Sequence, residues 1–467
     1  MNSKVTNTKS YFFCGIGGSG MLPLASIIAA HGGTVAGSDR ARDQGRSKAK
    51  FAWLEQQGME LFPQDGSGLH SGEQILVASA AVEDTVPDVK AANALGCRRI
   101  TRAELLAELF NAAGQRIAIG GTSGKSTVTG MAGWIMQQAG TDPTIMNGAV
   151  MKNFASDDAL FASARVGKGA PFVSEVDESD GSIALFEPDI AVLTNISLDH
   201  KTLDELHALF GDFADKASHV VWNHDDTESR ALMASRDHKG AVSFGFEDGA
   251  GFQAVDVVEE PLSARFTLKT TDTTLPITLQ VPGRHNIANA LAAIAAAHCA
   301  GVDLETAVQA ITTFSGLGRR FDIVGTANGI TVIDDFGHNP EKIAATLRTV
   351  KAFPGRVIAF FQPHGFGPLR VMGQELAQMF MEELGADDHL IFCDPVYFGG
   401  TVDRSVGSAD IIAAINSGPT ATHIPDRTKC GEHIVGLAQS GDSILIMGAR
   451  DDTLSGFARA LMIKLEA

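Results

Sequence analysis

A lysine and two hydroxyls placed directly behind a glycine turn can hold a chain of phosphates. Such a spacing occurs in Ile117-Ala-Ile-Gly-Gly-Thr-Ser-Gly-Lys-Ser-Thr-Val-Thr-Gly130. An apolar β-type run leads into Gly121, Thr122, Ser123, Gly124, Lys125, Ser126 and Thr127, and a helix-type segment runs from Gly130 to Gln138. Loop N–H groups and a helix N-terminus face an anion, the lysine adds a mobile positive charge, and a hydroxyl can ligate Mg²⁺. The strict pattern G-x-x-x-x-G-K-[ST] wants a glycine where Ile119 stands, so the match is partial. The bland alternative is a glycine-rich turn with an exposed lysine.

Other residues fit the same chemistry. Glu175 opens the acidic cluster after Phe172-Val-Ser, and His200 closes the run that starts at Ile190. A carboxylate and an imidazole at two strand ends can hold Mg²⁺ beside a phosphate loop; as plain structure they are a strand-end acid and a bonded loop histidine. Asn286 and Asn289 lie at i, i+3 at a helix start, where two amides suit a purine edge or a ribose, or serve as helix caps. Near the N-terminus, Gly15, Gly17, Gly18 and Gly20 make a G-x-G-x-x-G turn, and Asp39 follows at the spacing of a ribose-binding carboxylate. That combination predicts a nucleotide-diphosphate site; an empty structural turn is the alternative.

These residues need parallel strands to bring them to one sheet edge. Tyr11 to Asp39 reads as one β-α-β unit, with a helix over Met21 to His31. A strand over Gln74 to Ser79 and a Thr101-capped helix to Phe110 follow. From Ala241 to Leu279 alternation and short turns read as a β-rich insert. Beyond Arg319, a strand pair turns at Ala327-Asn-Gly329, and strands are predicted over Ile330 to Asp335, Arg356 to Phe361, His389 to Cys393 and Ser443 to Met447. Their tips are polar: His338, His364, Asp394 and Arg450 lie there.

The chain has 467 residues, 44% hydrophobic and 20% charged, enough for three domains with proper cores. Fifty glycines against 16 prolines indicate many short turns. Net charge is −18 and pI about 5.2, which argues against nucleic-acid or anionic-membrane binding. Five scattered cysteines show no C-x-x-C spacing, so neither a zinc site nor a disulfide framework is expected. No signal-type apolar core and no run of about 18 apolar residues occurs, and a cytoplasmic protein is expected.

With its motifs in order, the chain resembles the Mur ligase family of peptidoglycan precursor synthesis. The likeness rests on Gly15 to Met21, Gly37-Ser-Asp39, Thr101-Arg-Ala-Glu104, Gly121 to Thr127, Glu175 to Asp180, Thr194 to His200, His285 to Asn289, Gly318-Arg-Arg-Phe321, Asp334-Asp-Phe-Gly-His338 and Phe361-Gln-Pro-His364. It implies an α/β fold of three domains. Residues 1–110 would be a Rossmann-like domain for the UDP substrate, 111–318 a central P-loop domain for ATP, and 319–467 a C-terminal α/β domain, with a Rossmann-like sheet, for the amine. It implies an ATP-dependent ligase joining the carboxylate of UDP-N-acetylmuramate to L-alanine through an acyl phosphate. The alternatives are a recycling ligase for a tripeptide, or a paralogue with another amine. Mg²⁺ is implied as well, as is a monomer or weak homodimer.

Carried over by residue, Lys125, Glu175, His200 and His338 form the implied catalytic set. Ser126 or Thr127 would ligate one Mg²⁺, and Glu175 with His200 a second. Asn286 and Asn289 would contact the nucleoside; Arg320 and Asp335 would hold phosphate and ribose. The family loop usually has histidine at Ser123, and several arginines after Gln-Pro-His, where only Arg370 remains. An NAD(P)-dependent oxidoreductase would use Gly15 to Asp39 but leave Lys125, Glu175 and His200 without a role. A non-catalytic nucleotide-binding protein would leave the acids idle.

Overall fold

The computed structural model describes residues 9–156, 158–197, 201–396 and 403–466. Three sheets are formed by the described residues. The first has five parallel strands in the order Glu60–Phe62, Thr34–Ser38, Ser10–Cys14, Ile75–Ala78, Arg98–Thr101. Its three inner strands are short and mostly buried, with an apolar cluster on each face of the sheet, as covered parallel sheets require. The glycine turn leads from Ser10–Cys14 into helix Met21–Ala30.

The second sheet has ten strands. At its centre strand Gln115–Gly120 lies between Pro171–Glu175 and Ile190–Leu193, parallel to both. The β-rich stretch expected from Ala241 to Leu279 is present as four strands. Ala241–Gly245, Phe252–Glu260, Ser263–Lys269 and Thr274–Leu279 continue this same sheet past His219–Asn223. Alternation alone cannot distinguish a free hairpin from a sheet extension, because both bury one face.

The third sheet has six strands, ordered Asp322–Ala327, Ile330–Asp335, Ser443–Met447, Val357–Phe361, His389–Phe392, Thr420–His423. Only the first runs antiparallel. Its hairpin turns at Asn328 and Gly329, both at positive φ (51° and 77°), as a tight two-residue turn demands. One apolar core lies on each face of this sheet.

Two compact units result. One runs to Val258 and resumes over Ala264–Gly316; the other comprises Glu259–Ser263 and the chain from Leu317. The expected boundary at 110/111 therefore separates two sheets inside one unit. Phe110 explains why: it lies 5.6 Å from the ring of Phe172 and 5.4 Å from that of Phe186, so the first two sheets share a core. No helix among the described residues is long and apolar enough to cross a membrane.

Candidate functional site

The glycine loop opens where Gln115–Gly120 ends, with its two neighbouring strands on either side. That is the crevice where open α/β sheets bind ligands. Helix Lys125–Gln138 starts at the lysine itself, five residues before the Gly130 start expected from the sequence. Gly124 makes this possible: at φ 85° it caps the helix in a left-handed conformation, and a β-carbon there would stand 2.6 Å from Asn289 Oδ1. The first full-turn helix bond runs from Val128 N–H to Gly124 O, so the N–H groups of Lys125, Ser126 and Thr127 precede the ladder. They form the anion-binding end of the helix.

The next strand over holds the loop in shape. Thr122 N–H donates to Asn195 O at 3.0 Å and Ser123 N–H to Asn195 Oδ1 at 3.0 Å. Thr194 Oγ1 donates to Ser123 O at 2.6 Å. Gly121 has φ 129°, and a β-carbon there would overlap Thr194 Oγ1, so the tip of Ile190–Leu193 can close on the loop only over a glycine.

Lys125 Nζ donates to Gly121 O and to Glu178 Oε2, each at 2.6 Å. Glu178 is buried at 5% exposure, and sequence reasoning did not single it out. Ser126 Oγ donates to Glu175 Oε2 at 2.7 Å. Gly148 leaves room for that carboxylate, since a β-carbon there would overlap Glu175 Oε1. A hydroxyl and a carboxylate in contact at a helix N-terminus are hard-oxygen donors of the kind Mg²⁺ takes, so this pair fits the ion. Thr127 is half-buried on the same turn. His200 lies outside the described residues. Burial works against ionising Asp177, but the bonds from Ser179 and the charges of Lys125 and Arg102 hold its carboxyl below the usual range.

A second grouping with metal-ligand spacing is His224, Asp225 and Glu247. Asp225 accepts from the N–H groups of Phe246 (2.6 Å) and Glu247 (3.0 Å), and Glu247 pairs with Arg230 at 2.6 Å. These bonds tie two strand tips together.

Asn286 and Asn289 are buried at the start of helix Arg284–Cys299. Asn286 Nδ2 donates to Pro282 O at 2.7 Å and Asn289 Nδ2 to Asn286 Oδ1 at 3.3 Å, which leaves Asn289 Oδ1 facing Gly124. On the first sheet, Asp39 accepts from Gly17 N–H at 2.9 Å and, as a helix cap, from Ala41 N–H at 2.8 Å. It therefore shapes the glycine turn of Gly15, Gly17, Gly18 and Gly20. Arg102, unremarked in the sequence beyond its motif, lays its guanidinium against Gly20, its Nη1 3.2 Å from where a β-carbon would be. Beside it Ser79, Thr101, Arg102, Asp180 and Ser182 line a cleft of about 220 Å³.

In the second unit, Asp335 is buried and accepts from Phe321 N–H (2.7 Å), Gly337 N–H (2.7 Å) and Thr346 Oγ1 (3.0 Å). Arg320 lies 4.7 Å from the ring of Phe336. His338 Nδ1 pairs with Phe336 O at 2.9 Å. Burial, then the charges of Lys342, His364 and Arg320, outweigh that bond and push the His338 pKa down to about 4. Arg370 is exposed on helix Phe366–Glu383 and pairs with Asp403 at 3.0 Å.

In chain order, a nucleotide-type glycine turn, a glycine-lysine loop on a parallel sheet and a third α/β sheet define the class. Known families agree: the Mur ligase family, catalytic domain, matches residues 10–113; the Mur ligase middle domain 119–297; and the Mur ligase, glutamate ligase domain 319–450. The chain belongs to the Mur ligase family. Among its relatives is the UDP-N-acetylmuramate–L-alanine ligase of Mesorhizobium japonicum, 33% identical and covering 96% of both chains. Another, of the same name from Geobacter sp. strain M21, is 35% identical and covers 97% of each. The fold matches the crystal structure of UDP-N-acetylmuramate-alanine ligase from Thermotoga maritima, with TM-score 0.79 at 23% identity, over 97% of this chain and 98% of that one. A murein peptide ligase from Psychrobacter arcticus gives TM-score 0.75 at 25% identity, over 98% and 99%.

Proposed function

We propose that this protein joins the carboxylate of UDP-N-acetylmuramate to the amine of L-alanine, using ATP, in the cytoplasm. The observation that carries this reading is the end-to-end likeness to relatives of that name at 33–35% identity. The loop geometry supplies the chemical support. Phosphoryl transfer to a carboxylate crowds anions together, so positive charge and positioning must do most of the catalysis. Lys125 meets the β- and γ-phosphates, exchanging Glu178 for them. The helix N–H groups of Lys125, Ser126 and Thr127 take the remaining oxygens. Ser126, Thr127 and Glu175, with His200, are the residues we assign to Mg²⁺, which would offset the charge shared by γ-phosphate and carboxylate. Asn289 reads the nucleoside from the loop side, with Asn286 fixing it.

The three sheets divide the substrates. The first takes the UDP group over Gly15 to Gly20, with Arg102 on its diphosphate and Asp39 holding the turn. The second takes ATP. The third takes the amine near His338, with Asp335 setting the loop that carries Arg320. The acyl phosphate formed on the substrate is attacked by the amine nitrogen; the amide forms and inorganic phosphate leaves. The test is phosphate release with UDP-N-acetylmuramate and a panel of amines, with the product weighed by mass spectrometry. Release that requires L-alanine and yields the amide is expected. Release only with a tripeptide would move the protein to the recycling reaction, and release without any amine would sink the ligase reading.

A further inference from the structure

The amine has no assigned partner for its carboxylate in this reading, because Arg370 is engaged with Asp403 on an exposed helix face. The third sheet offers another cation. Three adjacent parallel strands end level: Asp335 and Phe361 are both paired with Met447 on the strand between them. Three residues past each end come His338, Arg450 and His364. An arginine thus leaves the middle strand, and an imidazole leaves the strand on either side. The two rings stand 5.3 Å apart, edge to face.

His364 and Arg450 have capacity to spare, while His338 holds Phe336 O through Nδ1. His364 Nδ1 is buried without a hydrogen-bond partner. Arg450 is exposed and sits at φ 60°, a left-handed conformation uncommon for a residue with a side chain. Its acidic neighbours are taken: Asp451 accepts from Gln362 Nε2 and Arg427 Nη1 at 2.8 Å each, and Asp452 lies 4.0 Å from Arg319. Arg450 itself makes no hydrogen bond or ion pair among the described residues.

We propose that Arg450 is the carboxylate clamp for the incoming α-amino acid, and that His338 and His364 flank its amine. This rests on the ligase reading above and names the residues that select its second substrate. A guanidinium fork matches a carboxylate bidentately, which sets the orientation of the amino acid as well as holding it. An attacking amine must be uncharged at nitrogen, and neutral imidazole nitrogens can accept its N–H. Burial keeps both rings neutral, with His364 also pushed down to about 4 by the charge of Arg450.

Two substrate comparisons test the assignment. In the unaltered protein, L-alanine should be used at least tenfold more efficiently than L-alaninamide, which keeps the amine and loses the carboxylate. Arg450→Ala should raise KM for L-alanine at least tenfold and erase that preference, with Arg450→Lys in between. Hydroxylamine captures the acyl phosphate as a hydroxamate and has no carboxylate to clamp. The loss with L-alanine should therefore exceed the loss with hydroxylamine at least tenfold. Equal use of L-alanine and L-alaninamide by the unaltered protein overturns the clamp, as does an Arg450→Ala variant that keeps the preference or loses both amines equally. Absence of any hydroxamate from the unaltered protein would instead count against the ligase reading itself.

Discussion

Lys125 is held by a carboxylate before any phosphate arrives, and this makes two substitutions at the loop informative in opposite directions. Lys125→Ala removes the charge that phosphoryl transfer needs, and turnover should fall by at least about 100-fold; a mild loss would make the loop structural. Glu178→Gln removes the partner of Lys125 that ATP would displace in the proposed reading. An ion pair of this kind is worth roughly 1 kcal/mol, so KM for ATP should drop about fivefold, read from initial rates at saturating UDP-N-acetylmuramate. Ser126→Ala breaks the contact with Glu175, and the Mg²⁺ concentration for half-maximal rate should rise by about tenfold, measured by titration at fixed ATP. Lys125, Ser126 and Glu175 were legible in the sequence because each sits at a motif position or a strand end. Glu178 was not: it lies in the same acidic cluster, and only the fold shows which of its acids turns inward to the lysine. Arg450 was legible only as one residue of a polar strand tip; strand register is what sets it between His338 and His364.

At the scale of elements, the loop depends on a strand far from it in sequence. Asn195 satisfies the N–H groups of Thr122 and Ser123 and donates to Ser123 O at 3.2 Å. Those loop N–H groups are structural, and the N–H groups that precede the helix ladder begin further on, at Lys125. Asn195→Ala leaves Ser123 without two side-chain partners and should cost about 1–3 kcal/mol, seen as a lower denaturant midpoint together with a raised KM for ATP. A lowered midpoint with unchanged KM would mean that the loop keeps its shape without this support. Apolar periodicity and turn residues made most strands readable: Ser443–Met447 and the hairpin at Asn328-Gly329 fall where expected. The start of the loop helix did not, because glycine and hydroxyl residues disfavour a helix locally, and the cap at Gly124 and the packing of Asn289 decide it. Thr101 shows the opposite case. Its bond with Glu104 N–H (3.1 Å) and the return bond from Glu104 Oε2 to its own N–H (2.7 Å) complete a capping box that the sequence spells out.

The whole chain holds separate cores in its two units, so heating can unfold them one after the other. Ligand and pH should then act on different transitions. In the proposed reading ATP binds the unit that carries the loop; at about 100 times its dissociation constant it should add about 2.7 kcal/mol to that unit, and Lys125→Ala should remove most of the shift. Acid should act on the other unit. Burial holds the folded pKa of both His338 and His364 down to about 4, below the usual 6.5, and lowers that of His389 too. Between pH 6.5 and 4 the unfolded chain therefore binds protons at these imidazoles that the folded unit does not, and stability is lost as pH falls. Asp334 works the other way. Burial raises it to about 6 against the charge of Arg319, so the folded unit keeps a proton there that the unfolded chain releases, and this favours the folded state as pH falls from about 6 toward 3.8. Three imidazoles outnumber the one acid, and the net effect is destabilising. The first unit's lowered carboxyls, among them Asp142, Asp177, Asp189 and Glu104, lose their contribution only below their ordinary values of 3.8 for Asp and 4.5 for Glu, and Asp88, which burial raises, favours the folded state as pH falls. Calorimetry of the full chain from pH 7.5 to 5 should accordingly show the ATP-insensitive transition moving down while the ATP-sensitive one stays nearly still. His364→Asn should flatten that slope, and an ATP-sensitive transition that carried the whole pH dependence would show that the buried imidazoles are not its source.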